Sequence, residues 1–390
     1  MNYKKSTADA GRLLTFIIWP FWGFIVNFFK KPSKVNAFIF TAFCGLAGYF
    51  FKLSEPEYDS YRYALEFKEA VVFGISHFIE QRQLEGMIDF YSIFSYSFVK
   101  SFTSDPHILF AFWGCVFGYF MYMSLCFIKK YLGNCKDTLF ICGILVLMFM
   151  INPYININGV RYWTAIWVFL AGWLGYEVHN KKKWLLVMCV TPIVHTTFII
   201  PLVIYVVYKT KVIQNLKVLY FVYIISFIIG NVVDLEIIVD YIPFLEMSER
   251  YSTYVDTDFA NTVKHSFIFK LLQSHLPNYF ILLFMTWLYA SKKMFKYDKN
   301  DILTKVLQYT LLMLCICSIT QSIPGMGRFD KLCNLLFFFI LIIYKHRDDI
   351  KTNYLLPIIV IVFYVRILNV WYIHDDLISF KYLLPFAYLF

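Results

Sequence analysis

The chain has 390 residues, 59% of them hydrophobic and 21% aromatic, with 36 Lys and Arg against 26 Asp and Glu, a formal net charge of +10. That apolar content exceeds what ordinary soluble domains carry, which excludes a soluble globular protein and marks a polytopic membrane protein. No alternating pattern of a membrane β-barrel is present, and the positive charge reads as topology rather than as a nucleic-acid surface, because the lysines gather in short clusters between apolar runs.

In chain order, Leu13 to Phe29 is apolar with basic residues on both flanks and lacks a small-residue cleavage site, so an interfacial helix or a non-crossing hairpin is expected there. Crossings, each needing roughly 20 apolar residues, are expected at 35–53, 106–128, 138–154, 159–179, 218–233, 265–290, 302–320, 329–344 and 354–373. Between them lie the clusters Lys129/Lys130/Lys136, Lys181 to Lys183, Lys209/Lys211/Lys217, Lys292/Lys293/Lys296/Lys299 and Lys345/Arg347/Lys351, which the positive-inside rule places in the cytoplasm. Trp184 to Tyr208 does not fit as a further crossing, since basic clusters flank both ends and Pro192 and Pro201 interrupt it. A re-entrant hairpin with His195 near its apex is expected instead, the broken backbone being tolerated where it is buried in protein or lines a watery cavity.

This choice turns the polar loops 54–105, 234–264 and 321–328, and the tail from His374, to the external side. The first of these interleaves Tyr58, Tyr61, Tyr63, Leu65, Phe67 and Val71 with charges and is expected to form amphipathic surface helices. The expected fold is therefore all-α and polytopic: about nine transmembrane helices, a re-entrant hairpin and amphipathic external helices. With no internal repeat or low-complexity linker, 1–390 is expected to be a single integral membrane domain. The nine cysteines fall in apolar runs or on the cytoplasmic side, which predicts neither a disulfide framework nor a zinc site.

Two residues stand out inside apolar segments, Arg161 and His195. An Arg at mid-helix costs about 2.5 to 3.5 kcal/mol on insertion scales, so an intramembrane cation points to function when a polar partner exists. The alternative for Arg161 is snorkelling to the interface or a structural carboxylate partner, and for His195 a satisfied packing residue.

Arg161, a lysine cluster and Pro192-Ile-Val-His195, in that order, resemble the EpsG-like family of polysaccharide polymerases, which is related to the Wzy-type O-antigen polymerases. Further matches are Tyr58-Asp59-Ser-Tyr61-Arg62-Tyr63, Glu249-Arg250-Tyr251-Ser-Thr-Tyr254, Gly327-Arg328-Phe329 and the closing Lys381-Tyr382-Leu-Leu-Pro385-Phe386. The resemblance implies a glycosyltransferase-C-like enzyme in a bacterial inner membrane, working at its periplasmic or outer face without a cofactor. Its partners would be polyprenyl-diphosphate-linked oligosaccharides and the bilayer, with room for a chain-length regulator and no role for nucleic acid.

Such chemistry asks for a cationic clamp on the leaving diphosphate, for which arginine's planar fork is suited. Arg161, Arg328 and Arg250 are the candidates, with His195 as an additional donor. It also asks for a base within reach of the acceptor hydroxyl. Asp59 is the first candidate and His195 the second, its ordinary pKa of about 6.5 matching neutral proton transfer; Asp256 and Glu249 stand in reserve. Tyr61, Tyr63 and Tyr254 are candidates to stack on sugar rings. Asp256-Thr-Asp258 has metal-diphosphate spacing, but such pairs recur by chance (Asp348-Asp349, Asp375-Asp376), so no metal site is assigned. The competing readings are a membrane O-acyltransferase with His195 as base, an O-antigen ligase, and a lipid-linked oligosaccharide flippase, which would show two pseudosymmetric halves.

Overall fold

The computed structural model describes residues 2–54, 58–73, 76, 79–80, 90–133, 139–210, 214–232, 275–321, 326–347, 354–373 and 379–389. Among these it is helical, with no strand. In chain order the helices are α1 (Asn2–Ile18), α2 (Pro20–Phe28), α3 (Lys34–Tyr49), α4 (Asp59–Phe73), α5 (Tyr91–Lys100), α6 (Pro106–Leu132), α7 (Leu139–Ile151) and α8 (Val160–Trp173). They continue as α9 (Lys183–Cys189), α10 (Thr191–Val194), α11 (Ile199–Lys209), α12 (Leu216–Val232), α13 (Leu276–Ala290), α14 (Ile302–Ile319), α15 (Asp330–His346) and α16 (Leu355–Ile373).

Each expected crossing carries a helix whose described bounds fall within a few residues of the expected ones, except that 265–274 lies outside the described residues. Among the described residues, three stretches are long and apolar enough to cross a membrane by length and composition, Pro106–Leu132, Leu139–Val178 and Ile302–Ile319; several shorter apolar helices accompany them. The starts are set by ordinary caps. Ser33 accepts from the Asn36 amide ahead of α3, and Asp105 accepts from the His107 amide with Pro106 opening α6. The loop expected to lie on the surface forms α4 and α5. The buried positions of α4, Ser60, Tyr63, Ala64, Phe67 and Ala70, recur at helical spacing and give it one inward face.

The described residues form two compact units that interleave along the chain. The first comprises 1–136, 152–199 and 370–390 and holds α1 to α6 and α8 to α10. Its axis is the pair α3 and α6, which approach so closely that a Cβ on Gly48 would strike the Phe110 carbonyl and one on Gly114 the Cys44 carbonyl. Small residues permit this approach where lipid offers no hydrophobic drive to pack helices together. α2 lies on α3 through Phe24 stacked on Phe43 at 4.3 Å, and α8 meets α6 through Trp167 and Phe117. The C-terminal turn ties the N-terminal hairpin down: Trp19 Nε1 donates to the Leu383 carbonyl at 2.7 Å, and the Phe386 amide donates to the Ile18 carbonyl at 2.7 Å.

The second unit comprises 137–151 and 200–369 and holds α7 and α11 to α16. α15 runs through it with every residue from Leu332 to Tyr344 buried, as expected of a helix apolar on all sides. Gly230 of α12 lies against the Ser318 carbonyl of α14. Arg347 forms a two-pronged pair with Asp301 at 2.9 and 3.0 Å, joining the end of α15 to the cap of α14.

Candidate functional site

The site is built at the start of α8. Ahead of it Pro153 begins a 3-10 turn, Tyr154–Gly159, held by three asparagines. Asn156 donates to the Asn152 side chain at 2.8 Å, and Asn152 donates to the Trp163 carbonyl at 3.1 Å, while its own carbonyl accepts from Trp167 Nε1 at 3.1 Å. Asn158 accepts from the Ser60 amide at 2.8 Å. That amide is one of the orphan donors of the first turn of α4, so Asn158 caps α4 and docks it on the start of α8.

Arg161 is the second residue of α8 and only 5% exposed. Its Nε donates to the Tyr63 hydroxyl at 3.0 Å, and its guanidinium carbon stands 5.6 Å from the centre of the Tyr63 ring. A cation at the positive end of a helix is the reverse of the favourable arrangement. Guanidinium and helix end therefore act in the same sense, and both favour an anion.

Tyr63 is 2% exposed and packs edge-on against Trp113 at 5.5 Å. Its ring is therefore part of the packing that holds Arg161 and offers no open face for the sugar stacking expected of it. Tyr61, on the same helix, is half-buried.

Asp59 opens α4 with its side chain 44% exposed and pairs with Arg62 at 2.8 Å; Arg62 also approaches Glu66 at 3.7 Å. Burial acts to lower the Arg62 pKa, but Asp59, Tyr63 and Glu66 outweigh it and hold the guanidinium above its ordinary value. Glu66 in turn accepts from the Tyr96 hydroxyl at 2.9 Å. The second Asp59 oxygen lies 3.8 Å from the point a Cβ on Gly159 would occupy, so this carboxylate sits over the first residues of α8.

His195 is a single extended residue (φ −152°, ψ 121°) between α10 and the 3-10 turn Thr196–Phe198, where the sequence predicts a break. Its ring meets Tyr162, the neighbour of Arg161, edge-on at 5.1 Å. The Thr197 amide donates to His195 Nδ1 at 3.3 Å, and the Thr197 hydroxyl lies 2.8 Å from the same nitrogen. A backbone amide can only donate, so Nδ1 is the unprotonated nitrogen and the neutral ring carries its hydrogen on Nε2. In that state His195 presents a donor at Nε2 rather than a base.

Asp59, Arg161, Tyr63 and His195 are thus brought to one end of α8. Arg328 is exposed at the end of the 3-10 turn Met326–Phe329 of the second unit, directly before α15. Arg250, Tyr254, Glu249, Asp256 and Asp258 lie outside the described residues.

Sequence reasoning missed two features. The asparagine turn was legible as three Asn and one Pro within Asn152 to Asn158, between two apolar runs. The other is Arg366 of α16, 4% exposed, whose Nη2 contacts Asp330 Oδ2 at 3.2 Å, while Asn278 donates to the same oxygen at 3.5 Å. Its signal was the one that singled out Arg161, a lone Arg in the apolar run Leu355 to Ile373. Arg366→Met leaves Asp330 without this charge partner and is expected to lower stability by about 3 kcal/mol. Arg366→Met with Asp330→Leu is expected to recover most of that loss. Thermal unfolding of the purified single and double variants measures it, and equal stabilities of all three would show that the pair contributes nothing.

A family model described as the EpsG family matches residues 35–387. No curated protein and no solved structure matches the chain.

Proposed function

The chain belongs to the EpsG family, and from that premise we propose that it is a membrane polymerase joining polyprenyl-diphosphate-linked oligosaccharide repeats at the external face of a bacterial inner membrane. The observation that carries this reading is the buried Arg161 at the positive end of α8, with Asp59 over the same helix end and the His195 ring packed on Tyr162, the residue after Arg161. A base and an anion site side by side are what the transfer requires. An acceptor hydroxyl loses its proton to Asp59 and attacks the anomeric carbon of the lipid-linked chain. The bond from that carbon to the diphosphate oxygen breaks with its electron pair, and polyprenyl diphosphate leaves.

Charge develops on the diphosphate as that bond breaks, and donors fixed in advance in a site poor in water stabilise it most. Arg161, the amides at the start of α8 and His195 supply this, and Tyr61 is a sugar contact. Arg62 holds Asp59 in place, and the Tyr63 hydroxyl fixes the plane of Arg161. The tautomer of His195 weighs against the O-acyltransferase reading, in which Nε2 would have to accept a proton.

The glycan profile of a deletion strain tests the proposal. Loss of long chains with retention of single-repeat units is expected. Loss of all capped lipid instead would indicate a ligase, and an unaltered ladder would remove the polymerase reading.

A further inference from the structure

Beside the start of α4 the first unit holds an open cleft of about 480 Å³ that none of the roles above uses. It lies where α3 ends and α6 begins, and the C-terminal turn closes one side, the Ser379 amide donating to the Phe50 carbonyl at 3.1 Å. Pockets of a few hundred Å³ suit small ligands, and this volume is of the order of one or two sugar rings.

The lining is specific in kind. Lys52 and Lys381 both border the cleft, and no carboxylate does so among the described residues. His107 lies beside them; its Nδ1 is 3.0 Å from the Tyr49 carbonyl, which only accepts, so Nδ1 carries a hydrogen. The neutral ring then offers Nε2 as an acceptor for a hydroxyl. Ser54 and Ser379 add hydroxyls. Tyr49, 38% exposed, adds an aromatic surface. Two ammonium groups call for an anion, while the hydroxyls, the imidazole acceptor and the tyrosine call for a polyhydroxylated ring.

Position ties the cleft to the reaction. The Ser60 hydroxyl donates to the Lys52 carbonyl at 3.5 Å, and Ser60 follows Asp59 directly. The Lys52 side of the cleft is thus tied to the first turn of α4, the turn that carries Asp59. With this end of the unit external, the two lysines also stand on the side where the positive-inside rule does not call for them.

We propose that the Lys52/Lys381/His107 cleft is a subsite for an acidic sugar, one carrying a carboxylate or an equivalent anionic substituent, in the repeat unit. This rests on the polymerase reading and deepens it: the polymer would contain an acidic residue close to the newly formed linkage.

The test uses the purified full-length protein in neutral detergent, titrated with hyaluronan tetrasaccharide, with the same tetrasaccharide after reduction of its carboxylates to alcohols, and with inorganic phosphate. The acidic form is expected to bind at least about tenfold more tightly than the reduced form, as one charge-assisted contact would give. Lys52→Gln with Lys381→Gln is expected to abolish that difference; both side chains are exposed, so the fold should survive. Equal binding of the two sugars, or a preference that persists in the double variant, would overturn the proposal. Binding of phosphate but of neither sugar would assign the cleft to a free anion or lipid phosphate and overturn it as well. A deletion strain that keeps its long chains removes the polymerase reading, whereas one that loses a wholly neutral polymer removes only this subsite.

Discussion

Asp59→Asn is expected to bind the lipid-linked donor normally and to elongate at least about 10²-fold more slowly, because a general base contributes roughly 10² to 10⁴-fold in rate. The amide keeps the shape of the side chain over Gly159 and can still accept from Arg62, so geometry is preserved while basicity is lost. Initial rates of chain growth and donor affinity, measured on the purified variant, separate the two effects. His195→Ala provides the contrast: with Nδ1 engaged by Thr197, its loss is expected to weaken donor use and to leave residual turnover. If Asp59→Asn elongates at the parental rate while His195→Ala alone removes turnover with donor binding intact, the roles must be exchanged.

The second large effect is expected from Arg161→Lys, which keeps the charge and removes the fork. Loss of a fixed donor to developing negative charge costs about 10² to 10³-fold, and an ammonium cannot reproduce a bidentate phosphate contact. Tyr63→Phe supplies the calibration. It deletes the acceptor of Arg161 Nε without touching the charge, and a single hydrogen bond of about 1 kcal/mol corresponds to less than tenfold. Chain-length distributions at matched protein levels are the readout, and near-normal polymer from Arg161→Lys would remove the clamp assignment.

Much of this molecule could be read in advance, because apolar runs bounded by lysines and prolines fix helices nearly one by one. α3, α6, α12 and α14 fall where hydropathy places them, and the interruption expected around Pro192 is found at His195. Arg161 stood out by the rarity of charge in its segment and Asp59 by its place just beyond α3 beside Tyr61 and Tyr63, and the fold sets Asp59 over the first residues of α8.

The identity of each side chain's neighbours was not legible. Tyr63 reads in sequence as a tyrosine placed to stack on sugar rings, and only its place on the inward face of α4 makes it the partner of Arg161. Arg366 and Asp330 lie 36 positions apart, and periodicity reports which face a helix buries without saying against what. The two interleaved units escape sequence reading for the same reason, since they are defined by packing and not by a linker.

On the proposed reading, the end of α8 transfers a lipid-linked glycan with loss of polyprenyl diphosphate. The most direct measurement supplies the purified protein in nanodiscs with one synthetic polyprenyl-diphosphate-linked repeat and follows chain length and released polyprenyl diphosphate together. One polyprenyl diphosphate is expected to be released for each repeat added by the parental protein, with both products falling together in Asp59→Asn and Arg161→Lys. Release of polyprenyl diphosphate without chain growth, or growth that is unaltered in both variants, would contradict that reading.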